Sequence, residues 1–144
     1  MQKLKDCADR LIYLLGEDGI DLGAYRVASA LSDLFPTTAG DLDLLLLARR
    51  CQAKGYSGLV QEWLAEPSEV SMSLNKLVNL LGEDRLRALA GNLGVSSSVI
   101  TIAMARLVPE IFYDKGRGRR YLANWAIFCN KPLIQRFFSR GYAA

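Results

Sequence analysis

The stretch LLGEDRLRALAGNLGVSSSVITIAMARL, Leu80 to Leu107, decides how the chain is read. Its apolar residues recur at helical spacing on both sides of Gly94, which predicts two helices joined by a tight turn. The first runs from Glu83 to Leu93 and opens on two carboxylates, which the positive end of a helix dipole favours. The second runs from Ser96 to about Ile111, with Ser96 placed to cap it. Ala90, Gly94, Ile100 and Ala103 occupy the positions a helix-turn-helix requires: a small residue, a turn glycine and two apolar anchors.

The outward face argues against base reading. The stripe Val99, Ile100, Ala103, Met104, Leu107, Val108 and Ile111 must face a core, leaving Ser96, Ser97, Ser98, Thr101, Ile102 and Ala105 outside. Base edges are normally read by Arg, Lys, Asn or Gln, and none stands there. Phosphate anchors are also few, with Arg85, Arg87 and Arg106 set against Glu83, Asp84 and Glu110. The expectation is a structural corner, with sequence-specific DNA binding ranked behind other functions.

Working towards the N-terminus, Ser71 or Ser73 caps a helix with Leu74, Leu77, Val78 and Leu81, and Ser57 opens one through Leu59, Val60, Trp63 and Leu64 that breaks at Pro67. Asp41 is the expected cap of LDLLLLARRCQAKG, whose Leu44 to Leu47 run predicts a central helix. Residues 37–41 read as a loop. Before it lie a helix with Leu22, Tyr25, Val27, Ala28, Leu31 and Leu34, and one with Leu4, Cys7, Ala8, Leu11, Ile12, Leu14 and Leu15 that ends at Gly16. LIYLLGED (Leu11 to Asp18) and LVNLLGED (Leu77 to Asp84) share turn chemistry: an apolar helix stops at glycine, and two carboxylates open the next helix. Neither Glu17/Asp18 nor Glu83/Asp84 carries the signature of a catalytic pair, which needs a cleft and raised pKa values. No segment alternates with period two, so essentially no sheet is expected. The fold class is all-α: one domain, an irregular bundle of about 7–9 short helices with a helix-turn-helix-like corner.

Composition narrows the chemistry. With 51% apolar and 23% charged residues the chain is globular, and no run reaches the roughly 18 apolar residues a membrane span needs. MQKLKDCADR lacks the apolar core of a signal peptide, so a cytoplasmic location is the expectation. Histidine is absent, which removes Ser/His/Asp and Cys/His nucleophile pairs and every imidazole metal site. Cys7, Cys51 and Cys129 are too scattered for a metal knuckle or a disulfide framework and read as small apolar residues. No nucleotide motif is present, and neither a cofactor nor a metal is expected.

One set of motifs recurs in order: Gly55-Tyr-Ser-Gly-Leu59 with Trp63-Leu64, then Val70-Ser71, Leu80-Leu-Gly82, Leu89-Ala90, Leu93-Gly-Val-Ser96 and Leu107-Val-Pro-Glu-Ile111. In this series the chain resembles the YidB-like family of small bacterial helical proteins over roughly residues 42–116. The resemblance implies an all-α multi-helix bundle and brings no catalytic residues. Members usually follow the Leu-Pro segment with an aspartate and a Thr-Pro-x-Gly turn, where this chain has Phe112-Tyr-Asp-Lys-Gly116. The expected organisation is an N-terminal helical extension (1–41), a YidB-like core (42–114) and basic aromatic C-terminal helices (115–144).

That last part holds the functional candidates. Lys115, Arg117, Arg119, Arg120, Lys131, Arg136 and Arg140 face no carboxylate in their own segment, whereas the first 114 residues carry all 15 acidic residues of a chain whose net charge is +3. After a flexible basic loop (114–120), Tyr121, Trp125, Phe128, Phe137, Phe138 and Tyr142 interleave with the cations. Such a surface can dock an acidic protein, a phosphate-rich polymer or an anionic membrane face. Alternatively, the aromatics close the core and the arginines pair with the acidic part of the chain. The candidate partner-binding residues are Lys115, Arg117, Arg119, Arg120, Trp125, Lys131, Arg136 and Arg140. The expected function is a non-catalytic protein–protein interaction module: a regulator, adaptor or inhibitor of a bacterial partner. The alternative is nonspecific nucleic-acid binding through the same segment, and an enzyme using only Ser, Asp, Glu, Lys or Tyr ranks last.

Overall fold

The structure, a computed structural model, describes residues 2–65 and 71–130. Helix α1 (Gln2–Leu15) turns every third or fourth residue inward, burying Leu4, Cys7, Ala8, Leu11 and Leu15. A 3-10 turn (Gly16–Gly19) follows, so Glu17 and Asp18 open this turn rather than the next α-helix. α2 (Ala24–Ser32) packs back on α1 through Val27, Ala28 and Leu31. Tyr25, expected on its inner face, points outward instead, with the Lys5 ammonium 5.8 Å from its ring centre.

The fold is all-α as expected, and residues 37–42, expected mostly as loop, hold its one tiny sheet among the described residues. β1 (Thr37–Thr38) and β2 (Asp41–Leu42) form a two-residue antiparallel hairpin, Thr37 opposite Leu42. Ala39 and Gly40 turn it with φ of 55° and 85°, the positive pair that a tight hairpin turn demands. Because Asp41 is drawn into the ladder, Asp43 replaces it as the cap of α3 (Leu44–Ala53). The Asp43 carboxylate accepts from the Thr38 hydroxyl at 2.6 Å and from the Leu46 amide at 2.9 Å. These bonds, with help from Arg49, hold it below the usual carboxylate range. A folded pKa below the unfolded value stabilises at pH above the unfolded value and stops doing so as pH falls through the folded one. Asp43→Ala should therefore cost about 1 kcal/mol near neutral pH. Thermal melts should show that gap closing in acid, below about pH 3.9.

Nor is α3 the central helix. Leu44, Leu47, Ala48 and Cys51 are buried, but Leu45 is half-buried and Leu46 is 39% exposed. The four-leucine run thus serves two environments. α4 (Ser57–Ala65) packs on α3 and buries Val60 and Trp63. α5 (Leu74–Leu81) is capped by Ser73, whose hydroxyl accepts from the Lys76 amide at 3.2 Å.

The centre is α7 (Ser97–Ile111), which contacts α1, α4, α5 and α6 (Glu83–Leu93). Ile100, Met104 and Val108 are completely buried, and Ala103, Leu107 and Ile111 nearly so. α6 ends at Gly94, whose left-handed conformation (φ 68°, ψ 31°) admits glycine without strain. The Ser96 hydroxyl then caps α7, accepting from the Val99 amide, and the two helices meet at 109°. This is the helix-turn-helix-like corner expected from the sequence.

Ala105 departs from its expected outward place and is buried. The cause lies four residues on. Pro109 has no N–H, so the Ala105 carbonyl loses its helical donor. The segment before α5 supplies a replacement: the Met72 amide donates to that carbonyl at 2.9 Å, and the Met72 side chain is buried with it. The proline of Leu107-Val-Pro-Glu-Ile111 thus fixes a crossing strap. Hydrogen exchange should find the Met72 amide slow although it lies outside any helix, with Ser71 and Ser73 fast. Exchange of all three at open-chain rates would refute the strap.

After Ile111 the helical path continues as a π-helical segment (Phe112–Gly116) that takes up the first residues of the loop expected at 114–120, and a turn at 117–119 leads into α8 (Arg120–Asn130). Among the described residues no helix is long and apolar enough to cross a membrane.

Candidate interaction surface

The position of α8 is set from beneath. Phe112 is fully buried and stacks on Trp63, ring centroids 5.9 Å apart and planes at 28°. At Gly116, a Cβ would lie 2.8 Å from a Leu122 methyl and 2.9 Å from one of Leu64, so a larger residue here would make those two side chains shift. Leu122 is completely buried, and Trp125 follows one turn later. α8 packs against α3 and α4.

This packing sorts the sequence candidates. Trp125 is only 7% exposed, and its indole N–H donates to the Gln52 side-chain oxygen at 2.9 Å, so it belongs to the core rather than to an open aromatic platform. The Lys115 ammonium turns to α1 and donates to Asp6 at 2.7 Å. Arg117 folds over Tyr113, with its guanidinium 4.9 Å from the ring centre and a 2.7 Å bond to the phenol oxygen. Arg119 donates to the Lys115 main-chain carbonyl at 3.3 Å. Arg120 is exposed and bonds to nothing among the described residues. Arg117, Arg119 and Arg120 are thus brought to one exposed turn, and none of them pairs with a carboxylate among the described residues. Lys131, Arg136 and Arg140 lie outside the described residues, as do Phe137, Phe138 and Tyr142.

A cleft of about 620 Å³ runs between α3 and α8, with Leu45, Arg49 and Gln52 on one wall and Tyr121, Asn124, Trp125 and Phe128 on the other. Three exposed apolar side chains belong to the same helix pair: Leu46, Tyr121 (39%) and Ile127 (60%). Arg49 and Leu46 were not candidates from the sequence. The inward period Leu44, Leu47, Ala48, Cys51 marks them as outward, but the four leucines conceal it.

Two other depressions differ in character. One, of about 400 Å³ between α1 and the end of α7, is spanned by ion pairs: Arg10 clamps Glu110 through two bonds of 2.5 and 2.9 Å, beside Lys115 and Asp6. Burial pushes the Cys7 thiol at its floor up to about 12, and the Cys51 thiol likewise, so both stay protonated at neutral pH. The other, of about 380 Å³, is the outer face of the corner, lined by Leu74, Val78, Leu86 and Ile102 with Ser97, Ser98 and Thr101. The Thr101 hydroxyl donates to the Ser97 carbonyl, and Arg87 pairs with Glu83 at 2.7 Å. α7 itself presents hydroxyls and an isoleucine there, as the sequence indicated.

The family model of the YidB-like protein matches residues 13–116. No curated protein and no solved structure matches. The match begins near the end of α1 and stops at the last residue of the π-helical segment, so α2 and the hairpin fall inside the matched region rather than in an added extension, while α8 follows it. A model covering that span of a helical bundle shows that the chain belongs to the YidB-like protein family.

Proposed function

We propose that this protein is a non-catalytic protein–protein interaction module, a regulator, adaptor or inhibitor of a bacterial partner, and that it docks through the turn into α8. One observation carries the reading: Arg117, Arg119 and Arg120 share an exposed turn without a carboxylate partner among the described residues, with the exposed Tyr121 beside Arg120 and the exposed Ile127 further along the same helix. Arginine and tyrosine are the residues on which interfaces concentrate their binding energy. The chemistry elsewhere supports binding over catalysis. Both thiols with raised pKa values are poor nucleophiles, and Glu17, Asp18, Glu83 and Asp84 are exposed to water.

Nonspecific nucleic-acid binding is the second reading, favoured by the same arginines. Against it, the Trp125 indole is tucked on Gln52 and offers no stacking face. Affinity capture from a nuclease-treated bacterial lysate separates the two. A protein partner retained after nuclease, and lost from an Arg117→Glu/Arg119→Glu/Arg120→Glu variant, is the expected result. Retention of nucleic acid alone, abolished by nuclease or moderate salt, would replace the first reading with the second.

A further inference from the structure

We infer that the cleft between α3 and α8 is a peptide-binding groove that takes an acidic segment of a partner protein, an apolar side chain entering the cleft with carboxylates on either side of it. This rests on the interaction reading above and specifies the site and the ligand chemistry. The two walls carry one formal charge, the cation of Arg49, and no carboxylate. Arg120 stands one helical turn before Asn124, on the same row of α8, and therefore adds a cation at the start of that wall. Neither arginine forms an ion pair among the described residues. Asp43, whose carboxylate feels Arg49 through space, accepts from the Thr38 hydroxyl and the Leu46 amide and makes no ion pair among the described residues. Leu45, Tyr121 and Phe128 supply apolar wall in the cleft, and Leu46 and Ile127 expose further apolar surface on the same two helices. Gln52 is held by the Trp125 indole, which leaves the Asn124 amide as a polar group able to meet a peptide backbone.

The arrangement favours a peptide over a nucleic acid. Single strands are held by stacked bases on open aromatic faces along a continuous cationic groove. Here the indole is buried, Tyr121 is exposed but the other exposed apolar groups of the helix pair, Leu46 and Ile127, are aliphatic, and the two cations stand on opposite walls. Charge-assisted contacts from each wall to carboxylates, combined with burial of one apolar side chain, match the pattern of an apolar anchor within a charged rim.

Fluorescence anisotropy on the full chain tests this with four probes: a short fluorescein-labelled peptide bearing Leu and Phe between Asp and Glu residues, its Asn/Gln counterpart, its alanine counterpart that keeps the acids, and a labelled oligothymidylate. The acidic apolar peptide should bind, and either replacement should weaken it by about tenfold or more. Arg49→Glu and Arg120→Glu should each weaken the parent peptide to a similar extent. Thr101→Glu, on the far corner, should leave it unchanged. Circular dichroism melts establish that the variants fold, and Arg49→Gln supplies a milder replacement should the reversal disturb α3. Failure of the acidic apolar peptide to bind, equal binding of the uncharged peptide, indifference to both arginine changes, or preference for the oligonucleotide would each overturn the inference. If the peptide does not bind while lysate capture is still lost in the Arg117/Arg119/Arg120 variant, the interaction reading stands and only the cleft assignment falls. If capture is also indifferent to those arginines, both fall.

Discussion

Replacing Phe112 with alanine should lower the unfolding free energy by about 3–5 kcal/mol, a large part of the roughly 5–15 kcal/mol available to a domain of this size. The ring is fully buried at the joint where α7 passes into the π-helical segment, and it stacks on Trp63. Its removal leaves a cavity that the surrounding helices cannot close without moving α4 or α8. Urea unfolding followed by tryptophan emission should report a much lower midpoint with a similar slope. A loss below about 1 kcal/mol would mean that this joint is plastic and that α8 is not held from beneath.

A second large effect concerns the two faces of α7. Met104 is completely buried, so Met104→Asp places a carboxylate where it cannot be hydrated, and the cost should exceed the stability of the fold. Two residues earlier, Ile102 is 54% exposed, and Ile102→Asp should change stability by no more than about 0.5 kcal/mol. Circular dichroism should find the first variant without a cooperative melt and the second melting like the parent chain. A stable Met104→Asp protein would remove α7 from the centre of the structure.

Much of this could be read in the residues, for identifiable reasons. The corner at Gly94 was legible because a left-handed glycine, a serine cap and period-3.6 leucines are local signals acting over a few residues. The outward face of α7 was legible for the same reason, apart from Ala105. That residue is covered because Pro109 frees its carbonyl for Met72, a partner far away in sequence, which no local pattern records. The hairpin escaped notice since its two-residue strands are too short for alternation, and its turn uses Ala39, not an asparagine or a second glycine. The four leucines from Leu44 to Leu47 suggested all-round burial, whereas tertiary packing leaves Leu46 at the surface.

The candidate surface was half legible. Charge asymmetry drew the eye to the start of α8, where Arg117, Arg119 and Arg120 make no ion pair among the described residues, whereas Lys115 of the same segment pairs with Asp6. The aromatic half of that reading divided in two. Trp125 lies on the inward row with Leu122 and became core, while Tyr121 stayed at the rim. The facing wall could not be found from the C-terminal segment at all, since Arg49 and Leu45 come from a helix some seventy residues earlier, and only the fold brings them opposite Tyr121 and Asn124.

The most direct test is a nitrogen–proton correlation spectrum of the full chain, recorded while the captured partner segment or the acidic apolar peptide is added. The Trp125 indole N–H, bonded to Gln52 at the floor of the cleft, supplies a resolved side-chain reporter. A groove between α3 and α8 predicts that this signal shifts together with the amides of Arg49, Gln52, Tyr121 and Asn124, while Ser97, Thr101 and Ile102 stay in place. Shifts confined to Ser97, Thr101 and Ile102, with the indole signal unmoved, would contradict it and return the function to the helix-turn-helix corner.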